Sequence, residues 1–300
     1  EALTRAQEPD AEFIMNWGPE DLAFNVMLNQ ALTFGITSER DTAIRELFRE
    51  DDFRQAFSHA LDRDGIAQSL MRGPFLRAFP GGVYPGSPEF DIDSVVYYPY
   101  NPERAAELLA GLGLEDTDGN GILNFTEGPM AGEDLIISLN SNQDQAEGAV
   151  ISDQIVAMLD AVGVKINARP MTSQAMADQA TSGEWDLRIT RPNQYVLPFT
   201  LCNALAPLTP QTPEWHREGA EPRELRDWEV EMVDLVTAYC KELDPEARKD
   251  LLNQYNYLYT LHNYEIGTIV GRKGLALAER FMNVPGGTPP RMYQWVESAI

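Results

Sequence analysis

The segment FRQAFSHALDRDGIAQSLMRG occupies residues 53–73 and sets the architecture around it. Phe53, Phe57 and Leu61 stand four apart, with Ala56 and Ala60 between them. That is the apolar stripe of an amphipathic helix whose small residues permit close packing. Asp62 and Asp64 then offer side-chain oxygens to the free backbone N–H groups of a second, shorter helix, which carries Ile66, Leu70 and Met71 and stops at Gly73. As pattern alone, this is two packed helices.

The 300 residues around the pair are 43% hydrophobic, enough for a substantial core in one large domain or two small ones. A formal net charge of −24 repels phosphate backbones and anionic headgroups, which disfavours nucleic acid and membrane surfaces as partners. No apolar run approaches the roughly 20 residues of a membrane span. The start, EALTRAQEPDAEF, has neither a basic opening nor an apolar core, and it reads as a loop from the middle of a longer protein. Two cysteines, Cys202 and Cys240, make no disulfide framework. They either form one bridge in an oxidising compartment or stay buried as small apolar residues.

Short apolar runs at 12–17 and 22–29 flank Gly18–Asp21 and read as two strands, with Phe24, Val26 and Leu28 alternating against Asn25, Met27 and Asn29. Residues 37–49 form a charged helix with Ile44 and Leu47 inward. Residues 73–99, rich in Pro, Gly and Tyr, make a long loop. In 100–113, Asn101 caps a helix, Pro102 takes its first position, Ala106, Leu109 and Ala110 form its buried face, and Gly113 stops it. Strand 134–140, helix 143–162 (Ala149, Ile151, Ile155 and Leu159 inward) and strand 163–169 form a unit that requires parallel pairing. A helix at 171–182 and a strand at 183–190 follow. Beyond the Pro-rich loop 207–223 come helices 225–240 and 245–263 and a strand at 266–271.

Residues 116–127, DTDGNGILNFTE, satisfy the calcium-loop pattern. Calcium takes six to eight hard oxygens, and alternation aims Asp116, Asp118 and Asn120 inward. Ile122 would add its carbonyl, Asn124 would bind directly or through water, and Glu127 would close the set with both oxygens. Gly128-Pro129 forbids the second helix of an EF-hand. The loop is therefore either a structural calcium site fastening a helix to a strand or an Asx/Gly turn without metal.

The wording of residues 54–73 resembles the "RqAlshAiDRdaiaqsl..G" helix pair of the extracellular solute-binding proteins of ABC importers, the oligopeptide- and dipeptide-binding family 5. LAFNVMLN resembles that family's "..l.fN..." strand into its second large lobe, and YNPERAAELLAGLG its "y.pekAkeLLaeaG" helix. The segment ending in GVKINAR resembles "iqqqLkkiGIkVel", and GEWDLRIT resembles "gdfDl.l". Residues 243–274 resemble "tDpeeRaalyaeaqrilne.aP.ipl", with Tyr264-Glu265 in place of the usual Pro. Many relatives also carry a DxDGxG loop at the place of 116–121.

The resemblance implies an α/β fold, the C-terminal lobe of a type II periplasmic-binding-protein-like architecture with a mixed sheet flanked by helices. Residues 1–300 would be that single lobe, with 1–11 a loop or linker and the N-terminal lobe absent from this chain. It further implies a periplasmic protein that captures a small solute between two lobes and hands it to an ABC permease in the membrane. Loop 191–199 should line the cleft, since ligands of open parallel sheets gather at the carboxyl ends of strands. With Pro198 set on the family's Pro, Tyr195 matches its Tyr, and Gln194 stands where peptide-binding relatives place an Asp against the peptide ammonium. An ammonium left unpaired in a dry cleft costs on the order of 3–5 kcal/mol. Amides suit neutral hydroxyls instead. The solute expected is thus an oligopeptide, or an oligosaccharide given the missing Asp, unless the alignment is offset and another acid serves. The expected ligand-binding residues are Arg191, Asn193, Gln194, Tyr195 and Trp215, where Trp215 either stacks on the solute or pins its own loop.

Catalytic patterns are thin. His59, His216 and His262 are scattered, and no GxSxG, HExxH, P-loop, GxGxxG or CxxC occurs. A binding protein needs no nucleophile, only a hinge. A calcium-containing hydrolase and a calcium-stabilised adhesion or scaffold module stand as alternatives.

Overall fold

Phe24, Val26 and Leu28 face one way and Ala23, Asn25 and Met27 the other, and all six are buried. The strand that carries them is therefore covered on both faces. In the computed structural model, which describes residue 5 and residues 8–71, 75–219 and 223–278, the strands are β1 (Phe13–Leu28), β2 (Leu76–Ala78), β3 (Leu114–Glu115), β4 (Asn124–Phe125), β5 (Ile136–Asn142), β6 (Lys165–Met171), β7 (Leu187–Thr190) and β8 (Ile266–Ala278). The helices are α1 (Glu39–Arg49), α2 (Asp51–Ala60), α3 (Arg63–Leu70), α4 (Pro102–Gly111), α5 (Ala146–Asp160), α6 (Ser173–Ser182), α7 (Asp227–Tyr239) and α8 (Pro245–Leu261). Six strands form one mixed sheet in the order β2-β8-β1-β7-β5-β6. β5 runs parallel to β6 and β7, while β1 is antiparallel to β7 and β8. The strand–helix–strand unit thus pairs in parallel as its length requires.

Each face of the sheet carries its own core. Phe24, Val26, Leu28, Ile137, Leu139, Leu187 and Ile189 pack with residues of α1 to α5. Ala23, Met27 and Val270 pack with an aromatic layer from α7, α8 and their loops, including Tyr195, Tyr255, Tyr259, Tyr264 and Trp215. Cys202 and Cys240 are bonded, tying the 3-10 turn Pro198–Ala204 to the end of α7. A loop of 38 residues closed in this way removes about 4 kcal/mol of unfolded-chain entropy by the usual polymer estimate.

Several elements differ from expectation for identifiable reasons. Gly18–Asp21 does not break the chain into two strands. The turn chemistry is absorbed as irregularities of register in one long β1, between Trp17 and Glu20 and between Glu20 and Leu22. A bulge tolerates a proline that lacks an N–H. In α4 the buried face is Ala105, Leu108 and Leu109, one residue earlier than read from the sequence, while Ala106 and Ala110 are exposed. Alanine is indifferent to burial, so the run of alanines did not fix the phase. Ala149 is likewise exposed, and Gly148 and Ser152 take its place beside Ile151, Ile155 and Leu159. Most of 1–11, Gly73 and everything after Ala278 lie outside the described residues.

The decisive helix pair forms, with Phe53, Ala56, Phe57, Ala60, Leu61 and Ile66 buried and Asp62 accepting from the Gly65 N–H at 2.9 Å, but the second helix ends at Leu70, Met71 is exposed and Asp62 rather than Asp64 is the cap. Apolar spacing did not reveal its two buried arginines. Arg54 donates to the carbonyls of Phe48 and His262, both at 2.7 Å, and also pairs with Asp51. Arg63 donates to Gly267 O at 2.8 Å, Ser58 O at 3.0 Å and Ser58 Oγ at 2.7 Å, which bolts α3 to β8. Burial pulls the two guanidinium groups down to about 9 and about 10, so both stay charged at neutral pH. Arg63→Met strips donors from buried carbonyls and should cost about 3–5 kcal/mol in urea unfolding. Arg63→Lys should recover only part of that, since a point charge cannot span the fork. A loss below about 1 kcal/mol for Arg63→Met would show that the bolt is ornamental.

Candidate solute-binding site

The parallel strands β5, β6 and β7 end together, and beyond them opens a depression of about 430 Å3. Asn142 from the end of β5, Ser173 at the start of α6, and Thr190 and Arg191 at the end of β7 line it, together with Arg188 and Glu214. Strand alternation explains its polarity. Ile137, Leu139, Leu187 and Ile189 go to the core below, so the intervening Ser138, Asn140, Asn142, Arg188 and Thr190 take the other face. Asn142 Nδ2 donates to Ser173 Oγ at 2.9 Å, and that hydroxyl donates to Asp144 at 3.0 Å. Arg188 is buried, pairs with Glu214, and lies 5.2 Å above the Trp185 ring. Of the three charged residues lining the depression, two therefore cancel, and Arg191 is left exposed.

The expected residues divide. Arg191 lines the depression. Gln194 is half-buried in the 3-10 turn Asn193–Tyr195, and the Asn193 side chain lies outside the described residues. Tyr195 and Trp215 are corrections, because both belong to the core rather than the cleft. Tyr195 is wholly buried, its ring 5.3 Å from that of Tyr259, and its hydroxyl donates to Glu265 Oε1 at 3.0 Å. Trp215 packs edge-on against Tyr264 at 5.6 Å and pins its own loop. The depression does hold an acid, Glu214, but from a different loop and already countered by Arg188. Nothing in the local spacing of Arg188 or Glu214 marks them; strand parity could have put Arg188 on the polar face, whereas Glu214 needed the fold.

Glu265 is sealed between the sheet and the tyrosine layer. Asn25 Nδ2 donates to its Oε2 at 2.9 Å and Tyr195 to its Oε1. Burial pushes this carboxyl up to about 7, against the pull of those hydrogen bonds. The histidines serve structure: His59 meets Pro99 O, His262 meets Asp51 and stacks on Trp228, and His216 meets Glu229. Burial lowers the His216 pKa against the pull of Glu229, which Arg226 also engages.

The loop at 116–127 closes on its own hydrogen bonds. Asp116 accepts from the N–H groups of Gly119, Asn120 and Gly121 at 2.8–3.1 Å. The Asn120 amide reaches Asp118 and Asp134, and the Asn124 amide donates to Asp134 at 2.7 Å. Leu114 and Glu115 pair with Phe125 and Asn124, and Thr126 then bonds to Gly113 O. This ladder carries Glu127 past the pair, to the end away from the Asp116–Asn120 turn. Asn120 and Asn124 thus share Asp134, while the Asp116 carboxylate is taken up by the backbone of the turn. Among the described residues no three His, Cys, Asp or Glu side chains are grouped to hold a metal.

The family model of bacterial extracellular solute-binding proteins, family 5 Middle, matches residues 5–199. The chain belongs to this family. It is 32% identical over 304 residues to a periplasmic alpha-galactoside-binding protein of Rhizobium meliloti, covering 100% of this chain and 44% of that protein. It is 29% identical over 229 residues to the oligopeptide-binding protein AppA of Bacillus subtilis, covering 73% of this chain and 40% of AppA. Among solved structures, the periplasmic binding protein MelB from Agrobacterium fabrum, in complex with stachyose, superposes with a TM-score of 0.92 at 35% identity, over 99% of this chain and 45% of MelB. AppA with a nonapeptide superposes at 0.69 and 17% identity, which speaks to fold alone. The chain spans about half the length of the curated relatives it matches. Family membership accounts for the mixed sheet between helical layers. Among the described residues no helix is long and apolar enough to cross a membrane.

Glu265 anchors the end of the loop that leaves the depression, and its titration is measurable. Unfolded, the carboxyl titrates near 4.5, and folded near 7. Between these values the native state holds a proton that the unfolded state releases, so stability falls as pH rises through this window, and the loss is complete above it. Glu265→Gln cannot ionise. From pH 5 to pH 8 it should gain on the order of 3 kcal/mol relative to the unsubstituted protein in urea unfolding. A pH-independent difference would contradict a carboxyl titrating in this window.

Proposed function

We propose that this chain is the solute-gripping lobe of a periplasmic binding component of an ABC importer, and that its solute is a neutral oligosaccharide of the galactoside type. The observation that carries the choice of solute is the internally balanced Arg188–Glu214 pair in a depression otherwise lined by amides, hydroxyls, apolar groups and one exposed arginine, Arg191. Amide and hydroxyl groups both donate and accept, as sugar hydroxyls do. A peptide ammonium would meet Arg191 and a carboxylate already neutralised. The alpha-galactoside-binding relative and the stachyose complex support the same reading. The second lobe would close over the solute, and a membrane permease would receive it intact. The chain does not act as an enzyme in this reading: among the described residues Glu214 is the one carboxylate lining the depression, whereas glycoside hydrolysis calls for two, about 5–10 Å apart.

Stachyose should raise the melting midpoint in a saturable way, while tetra-alanine at equal concentration should not, and the sugar should be recovered unchanged by chromatography. This chain alone should bind about tenfold or more weakly than a protein carrying both lobes, because half the contacts are missing. A response to peptide without sugar would reverse the choice of solute, and consumption of stachyose would make the protein a hydrolase.

Calcium at residues 116–127 is a separate proposal, supported by the oxygen-bearing side chains of Asp116, Asp118, Asn120 and Asn124 and by the bonds of Asn120 and Asn124 to Asp134. Its role would be to stiffen the β3–β4 hairpin against β5, with Glu127 taking no part. Millimolar calcium should then raise the midpoint over EDTA by a few degrees, about 1 kcal/mol, and Glu127→Gln should leave that shift intact. Equal midpoints would leave the loop a metal-free Asx turn.

A further inference from the structure

A second cavity, of about 310 Å3, lies at the opposite, amino end of β5 and β7. This volume sits at the small end of the range of ligand sites, about 300–1,000 Å3. It is lined by Arg40, Arg45, Trp185 and Asp186, with exposed Arg169 and Glu184 also contributing.

The hydrogen-bonding capacity here is lopsided. Asp186 is fully engaged, taking Arg40 Nη2 at 2.7 Å and both the N–H and the hydroxyl of Ser138 at 2.9 and 2.8 Å. Asp41 is engaged by the N–H and hydroxyl of Thr37 at 2.9 and 2.8 Å. The donors are not matched. Arg45 is 1% exposed, and only its Nη2 is engaged, to Gly183 O at 3.1 Å, while Nε and Nη1 have no partner among the described residues. That carbonyl is fixed where it is, because Gly183 ends α6 at φ +77° and its backbone lies against Gly35, where a Cβ would come within 2.3 Å. Trp185, 3% exposed, has an indole N–H that is likewise unpartnered. Arg169 forms no ion pair among the described residues.

Buried donors without acceptors are costly, and buried charged donors most of all. Arg40, Arg45 and Arg169 are matched in number by Asp41, Glu184 and Asp186, so what the cavity lacks is an acceptor at the Arg45 and Trp185 donors, not net charge. Every negative charge brought in also faces Asp41, Glu184 and Asp186, so an occupant with one charge is repelled less than a dianion. We propose that the cavity binds a small free monocarboxylate, its oxygens accepting from Arg45 and Trp185, with Arg169 attracting it at the mouth. Its position, a strand's length from the solute depression, makes it a separate site. The two share one element, the Trp185 ring, which lies beneath Arg188.

The test is a titration of this chain with sodium acetate, read by thermal melting and calorimetry, against sodium chloride and sodium sulfate at matched ionic strength. Acetate should give a saturable response, and chloride and sulfate only a shallow drift. Trp185→Phe keeps the ring and removes the N–H, and should weaken acetate about tenfold. Arg169→Gln, a surface change, should weaken it severalfold and leave the stachyose response unchanged. Arg45→Met should abolish acetate binding; should that variant not fold, the other two decide. An acetate response no different from chloride, or one unaltered in both Trp185→Phe and Arg169→Gln, would mean that water satisfies these donors and would overturn the site. Sulfate binding more tightly than acetate would overturn the monocarboxylate class.

Discussion

Two guanidinium groups sealed inside the protein hold its halves in register. Arg54 and Arg63 stay charged while buried, so they cannot tolerate a misplaced neighbour. Their donors are met only when the carbonyls of Phe48, Ser58, His262 and Gly267 arrive together. Those carbonyls belong to α1, α2, the end of α8 and the start of β8. The helix pair, α8 and the sheet are therefore tied to one another. β8 then pairs along almost the whole of β1, and β1 in turn places β7, whose end opens the depression.

The depression inherits its character from strand parity. Alternate residues of β5 and β7 feed the apolar core, and the polar remainder faces the layer above. A carboxylate is present there, but it is paired with Arg188, so the two charges offset each other. The loop leaving β7 is anchored by its other end. Tyr195 passes out of the cleft and into a buried hydrogen bond with Glu265, so its phenol cannot also serve the solute. The Cys202–Cys240 bond holds the following turn against α7, in keeping with an oxidising compartment.

What could be read in advance follows the range of the forces involved. The helix pair, the Asn101 and Asp62 caps, and the strand–helix–strand unit depend on neighbours a few residues apart, and the family wording carried the α/β architecture. Arg191 could be placed because it immediately follows a strand. Trp215 and Tyr195 misled because an aromatic near a cleft and an aromatic in a core look alike along a chain. Glu127 misled because the calcium pattern counts residues, whereas the β3–β4 ladder moves the twelfth position away from the first.

The amino-acid sequence by itself determined the periodicities, the caps, the turn positions and the family, since each of these is written in short-range spacing. Only the tertiary structure decided that Arg188 would meet Glu214, that Cys202 would meet Cys240, and that Arg45 would be buried with donors to spare. Those outcomes depend on residues tens to hundreds of positions apart being brought within about 3–6 Å by packing, and no local pattern encodes which distant partner arrives.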